Sequence, residues 1–230
     1  MKRYWQHKAR LRFIAKNGMR YFLMSRFHLI DGFLMDDEAI ALHEASKSIV
    51  KKNPTIVEIG SWQGKSSIVI ASGLKKNQGK LYCVDPFNGA GDARSAVRYS
   101  KDAAALGRSL IEQFQKNISD AGLSDLVEAM PGFSSEVRKK WNETKHIDFI
   151  FIDGDHSYEA VKKDFLDWSP IVNVGGYVAF HDTYLNVPKD KSDRLHTGPG
   201  LVVKEFLLEN SKWKLVSRAN SLFIFQKNHE

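Results

Sequence analysis

The chain predicts an α/β fold: one doubly wound, mostly parallel sheet of seven strands, with an antiparallel C-terminal hairpin and an N-terminal helical segment. Three observations lead there. From residue 54 onward, short apolar runs alternate with amphipathic stretches, the pattern of a parallel sheet covered on both faces. The run Ile147–Ile152, IDFIFI, is almost wholly apolar, as a central strand buried on both sides must be. The last two apolar runs are separated only by a short turn around Ala219-Asn220, which makes them a hairpin at one edge.

Taken in order, the predicted strands are Thr55–Glu58, Lys80–Val84, Leu126–Met130, Ile147–Ile152, Tyr177–Phe180, Trp213–Ser217 and Leu222–Gln226. Helical periodicity lies between the first five, over Ser66–Leu74, Leu106–Ala121 and Tyr158–Trp168. Asp36-Asp37-Glu38 opens a further helix across residues 36–50, its negative charge matching the positive end of a helix. The catalytic domain is expected over residues 36–230, preceded by a basic amphipathic segment over residues 1–35.

Charge is unevenly spread. Eight of the 34 basic residues and none of the 27 acids fall within residues 1–30, so the remainder of the chain is nearly neutral. The high isoelectric point therefore belongs to the arm, and the body offers nucleic acid no basic face. With Tyr4, Trp5, Phe13, Tyr21, Phe22 and Phe27 among its bases, the arm suits a lid, an oligomer arm or a contact with an anionic membrane surface. No apolar run reaches the roughly 18 residues of a membrane span. Cys83, the single cysteine, excludes an internal disulfide and fits a buried thiol in a reducing, cytoplasmic setting.

The first strand runs into Glu58-Ile59-Gly60-Ser61-Trp62-Gln63-Gly64-Lys65-Ser66. A phosphate loop needs four residues between its first glycine and Gly-Lys-Ser, and this turn has three. A dinucleotide fingerprint needs glycine where Trp62 stands. What remains is E-x-G-x-x-x-G, a turn that lets backbone approach a ligand, with an acid at the strand end. Asp85 closes the second strand, 27 residues on, where a carboxylate can accept ribose hydroxyls.

These residues, with Phe151-Ile152-Asp153-Gly154-Asp155-His156-Ser157-Tyr158-Glu159, resemble the class I S-adenosylmethionine-dependent methyltransferases. The likeness is strongest to the small bacterial families that share the FIDGDHSYE signature and more distant to the catechol O-methyltransferase type; it covers about residues 32–226. It implies S-adenosylmethionine as cofactor, held by Glu58, Gly60, Ser61, Gly64, Ser66 and Asp153, with Asp85 on the ribose and Ser134 beside adenine. It also implies Asp153, His181 and Asp182 as ligands of a divalent metal, Mg or Mn, with His156 as general base and Asp153 beside it in catalysis. His181 departs from the acid usual in that position and is a softer ligand than Mg²⁺ prefers, so a second acid/base or substrate contact stays open for it. A plain turn with a capped helix would also account for Asp-Gly-Asp-His, Asp155 being the expected cap.

The implied activity is O-methylation of a small polar molecule, a sugar or glycan, or a secondary metabolite. The long polar stretches 86–105 and 183–200 are expected to roof the acceptor site. An RNA-directed methyltransferase drawing on the basic arm and a nicotinamide-dependent oxidoreductase are the competing readings.

Overall fold

The computed structural model describes residues 2–89, 95–186 and 197–229. Seven strands form one sheet in the order β3-β2-β1-β4-β5-β7-β6. They are β1 (Thr55–Ile59), β2 (Lys80–Asp85), β3 (Val127–Pro131), β4 (Ile147–Ile152), β5 (Val172–Phe180), β6 (Trp213–Ala219) and β7 (Leu222–Lys227). The first five run parallel, and β7 lies antiparallel between β5 and β6. The order reverses at β1, which pairs with both β2 and β4, and a crevice opens there beyond the carboxyl ends of the strands.

Strand alternation sends Ile56 to one apolar core and Val57 and Ile59 to the other. On the first face pack α2 (Asp36–Lys47), α3 (Lys65–Leu74) and α5 (Leu110–Asp120). On the second pack α6 (Ser134–Lys140), α7 (Tyr158–Trp168) and α8 (Gly198–Phe206). Local signals fix several ends. Ser109 accepts from the Glu112 N–H while Glu112 accepts from the Ser109 N–H, a reciprocal cap on α5. Ser157, rather than Asp155, caps α7 through the Ala160 N–H; Asp155 instead accepts the Ser157 N–H at 2.7 Å and shapes the turn before it.

The N-terminal segment is part of this packing. It begins as α1 (Lys2–Asn17) and continues through short 3-10 turns over Met19–Tyr21 and Met24–Leu29. Every residue of α3 from Ser66 to Leu74 is buried, so that helix needs cover on its outer side as well as from the sheet. Phe13, Tyr21, Met24 and Phe27 join the same core as α3 and, with α2, supply that cover. Lys65, at the start of α3, donates to the Ile30 carbonyl at 3.4 Å and lies over the Phe27 ring.

Three differences from the sequence pattern have local causes. β5 starts five residues earlier than expected, because Gly175 and Gly176 interrupt its apolar run. The polar stretch 86–105 contains a helix, α4 (Ala96–Ala104), which buries no side chain and so carries no apolar stripe facing the core. The stretch 183–200 ends in the start of α8, whose Gly-Pro-Gly opening hides it. Residues 90–94 and 187–196 of those expected roofs lie outside the described residues. No helix among the described residues is long and apolar enough to cross a membrane.

Phe27 is fully buried and meets Phe13 edge-on at 5.5 Å. Phe27→Ala should lower unfolding stability in urea by about 3–5 kcal/mol. A loss below about 1 kcal/mol would mean that the arm is not integral to the core.

Candidate active site

The crevice at the reversal point is a cavity of about 420 Å³, lined from the ends of β1, β2, β4 and β5. Its floor depends on Gly60, in the left-handed region at φ 84°; a Cβ there would stand 2.1 Å from the Asp153 carbonyl oxygen. That absence of a side chain lets the β1 and β4 ends meet, with the Asp153 N–H donating to the Ile59 carbonyl at 2.8 Å. Gly64 serves a different end. It turns the chain into α3 at φ 88° and leaves room for Phe114 and Ile118 of α5, and it does not line the cavity.

Gly60, Ser61, Ser66, Asp85, Ser134 and Asp153 all line the cavity. Glu58 does not. Its side chain points into the first core, fully buried, where Ser67 Oγ and Cys83 Sγ donate to Oε2. Burial raises its pKa, and it raises that of the Cys83 thiol as well. Strand alternation explains the placement: with Ile59 facing the opposite core, Glu58 must turn toward α3. Asp85 clasps two loops. Its Oδ2 accepts the Ser61 and Trp62 N–H groups at 2.9 Å each, and its Oδ1 accepts the Phe87 N–H at 2.6 Å. A carboxylate has about four acceptor positions, so Oδ1 retains one for a ligand hydroxyl. Trp62 and Phe87, flanking this clasp, both adopt left-handed backbone, at φ 47° and 48°.

At the other end of the cavity the predicted cluster assembles. His181 Nδ1 donates to Asp153 Oδ1 at 3.1 Å, and Nε2 donates to Glu38 Oε2 at 3.1 Å. Asp182 lies 3.6 Å from His181 Nδ1, and His156 Nε2 lies 3.4 Å from Asp182 and 3.6 Å from Asp153. Burial pushes the His181 pKa down, but the Asp153, Glu38 and Asp182 carboxylates outweigh it and hold it well above the usual imidazole range. His181 is therefore a buried cation. Burial also works against the charged forms of Glu38 and Asp153; hydrogen bonds from His181 and the Met35 N–H hold Glu38 down at about 2, and His181 and His156 hold Asp153 below the usual carboxylate range. Asp182 sits at φ 49°, a further left-handed non-glycine residue at this cavity.

Two members of the site were not foreseen. Glu38 comes from α2, 143 residues before His181, and Ser221 of the β6–β7 turn donates to it from both N–H and hydroxyl. In sequence Glu38 reads only as a helix-start acid, and it does fill that role by accepting the Met35 N–H. Asp164 of α7 lines the cavity wall near Ser134, and burial raises its pKa to about 6. Trp168 Nε1 donates to Ser134 Oγ at 2.9 Å and fixes that hydroxyl.

A divalent cation needs ligand lone pairs. His181 has none to offer while both ring nitrogens carry protons into carboxylates, and among the described residues no group of three His, Cys, Asp or Glu side chains stands ready to hold a metal. Asp153, His181 and Asp182 are brought together, and His181 could serve a divalent cation only by giving up a proton it shares with Asp153 or Glu38.

Residues 57–183 match the family described as a methyltransferase domain, and the chain belongs to that family. Its fold is that of the class I methyltransferases. An uncharacterized protein, R132 of Acanthamoeba polyphaga mimivirus, is 28% identical over 142 residues, 61% of this chain; the match spans 57% of that relative. Among solved structures, the O-methyltransferase TomG of Streptomyces achromogenes, involved in tomaymycin synthesis and bound to S-adenosylmethionine, superposes with a TM-score of 0.63 at 16% identity, covering 100% of both chains. An O-methyltransferase of Bacillus cereus with bound S-adenosylhomocysteine gives 0.56 at 16% identity, again over 100% of both. CalS11, a TDP-rhamnose 3'-O-methyltransferase of calicheamicin biosynthesis, gives 0.56 at 15% identity over 96% of this chain and 93% of its own.

Two predictions follow from the geometry. Gly60→Ala should part the β1 and β4 ends and abolish ligand binding in the cavity, read by calorimetry with S-adenosylhomocysteine; retained affinity would contradict the close approach. Glu38, with its folded pKa lowered from 4.5 to about 2, contributes stability that is whole above pH 4.5 and is lost as pH falls toward 2. His181, shifted upward, contributes stability that is whole below pH 6.5 and is lost as pH rises through its folded value. Glu38→Gln should cost roughly 3 kcal/mol at pH 7, and the gap to the parent chain should narrow below pH 4.5 and close only as pH falls through about 2. A gap of constant size would remove the ion pair.

Proposed function

We propose that this chain is an S-adenosylmethionine-dependent methyltransferase that methylates a hydroxyl of a small polar acceptor, a sugar ring being the class that fits best. The observation that carries the reading is one cavity with two linings: Gly60, Asp85 and Ser134 at one end, which suit a nucleoside, and the carboxylates and imidazoles of Asp153, His156, His181 and Asp182 at the other. Solved O-methyltransferases that share the fold, one acting on TDP-rhamnose, support it.

The cofactor fits the residues present. The Gly60 cradle admits a ligand against bare backbone, Asp85 Oδ1 offers one acceptor position to a ribose hydroxyl, and Ser134 with Asp164 forms the wall for the base. When bound, it supplies a methyl group activated on a sulfonium. The chain's own work is to hold the acceptor and take its proton. His156 is the base. A proton arriving on its imidazole creates a charge beside Asp182 and Asp153, at 3.4 and 3.6 Å, so the cation is neutralised where it forms. His181 keeps those carboxylates from repelling one another and fixes Asp153. Phe33, Trp62 and Tyr99 line the same cavity and give a sugar ring apolar faces to rest on, Trp62 and Tyr99 meeting edge-on at 4.6 Å. With Gly32 and Phe33 in that wall, the N-terminal segment acts as a fixed side of the acceptor site.

Calorimetry should give one site for S-adenosylhomocysteine. Transfer of labelled methyl to a panel of hydroxylated acceptors should fall by about 10²–10⁴ in kcat for His156→Ala, with cofactor-product affinity kept. Undiminished turnover would remove His156 from the role. Tight binding of NAD or ATP, with none of S-adenosylhomocysteine, would overturn the assignment.

A further inference from the structure

A second cavity, of about 480 Å³, lies between α1 and α5 and shares no lining residue with the first. Its size falls within the roughly 300–1,000 Å³ of small-molecule sites. Its charge is one-sided. Both acids that line it are already matched: Lys2 pairs with Asp31 at 2.6 Å, and Lys116 with Asp120 at 2.6 Å. Three guanidinium groups remain in surplus, those of Arg3, Arg26 and Arg108.

Arg26 is anchored at one corner, where Nη1 donates to the Asp120 carbonyl, while its Nε is buried with no hydrogen-bond partner. An unmet buried N–H costs free energy until a ligand or water accepts it. Gln63 lines the same space. It is only 4% exposed, and its backbone carbonyl accepts from Asn117 Nδ2 at 2.8 Å. Among the described residues the only carboxylate whose charge Arg108 is seen to act on is Glu112, outside the cavity lining.

We infer that this cavity is a binding site for a phosphate-bearing ligand with more than one negative charge, held by Arg3, Arg26 and Arg108 with Gln63 at its back. Guanidinium forks match phosphate oxygens two by two, and three of them around one small space exceed the charge of a single carboxylate. A cavity of this size encloses one head group or one small molecule and leaves no track for a nucleic-acid strand. The basic arm thereby gains a task that a covering role for α3 leaves unexplained, since Arg3 lies on α1 and contributes nothing to that core.

The test uses the full chain, with S-adenosylhomocysteine present to occupy the first cavity and inorganic pyrophosphate as probe, by calorimetry at low salt. One saturable site is expected, weakening as salt rises. Arg3→Gln/Arg108→Gln changes two exposed side chains and should weaken pyrophosphate by at least about tenfold. The charge-matched Lys204→Gln/Lys214→Gln, on exposed residues elsewhere, should leave it unchanged. Sedimentation with phosphatidylcholine vesicles containing a phosphoinositide assigns the source: capture that depends on Arg3 and Arg108 makes the ligand a lipid head group, and pyrophosphate binding without capture makes it soluble. No saturable pyrophosphate site, equal weakening in both variants, or binding of single-stranded RNA without pyrophosphate would overturn the inference.

Discussion

The site hangs on one buried positive charge. His181 stands at the end of β5 with a carboxylate on either ring nitrogen, and a third nearby. Through it, α2, the β4 end and the β6–β7 turn are tied to one point, since Glu38, Asp153 and Ser221 all join the same network. Burial works against the charged forms of Glu38 and Asp153, and the imidazolium between them lets both stay ionised. His156 and Asp182, on the cavity side, are held beside that arrangement.

The opposite end of the cavity is held by backbone. Asp85 accepts three main-chain N–H groups and so sets the loops after β1 and β2 together, while Gly60 allows β1 to touch β4. The same fold thus serves its two ends differently: hydrogen-bonded main chain where a nucleoside would lie, and ionised side chains where chemistry would occur. Strain is kept at the joins, in the left-handed backbone of Trp62, Phe87 and Asp182.

Much of this was legible in the amino-acid order. Strand β4 reads directly from its unbroken apolar run, and the E-x-G-x-x-x-G turn with Asp85 places the crevice. Asp153, His156, His181 and Asp182 were singled out through the family resemblance, and they come together because they follow the adjacent strands β4 and β5. Glu38 was not, since a contact 143 residues away leaves no local trace and its capping role is a sufficient reading on its own. Glu58 misled for a related reason: an acid at a strand end is ambiguous until the side of the sheet it faces is known. Ser66–Leu74 reads in sequence only as one more helical stretch; the packing shows that α3 is buried on all sides and that the arm's aromatic residues cover it.

Cys83 is the chain's sole thiol, and it lies sealed beneath α3 with its sulfur turned toward Glu58. Deprived of its thiolate form, it will ignore alkylating and oxidising reagents while the fold holds. A cysteine introduced at the rim of either cavity would consequently be the single reactive handle in the molecule, so a spin label or fluorophore could be attached there without first stripping the native residue.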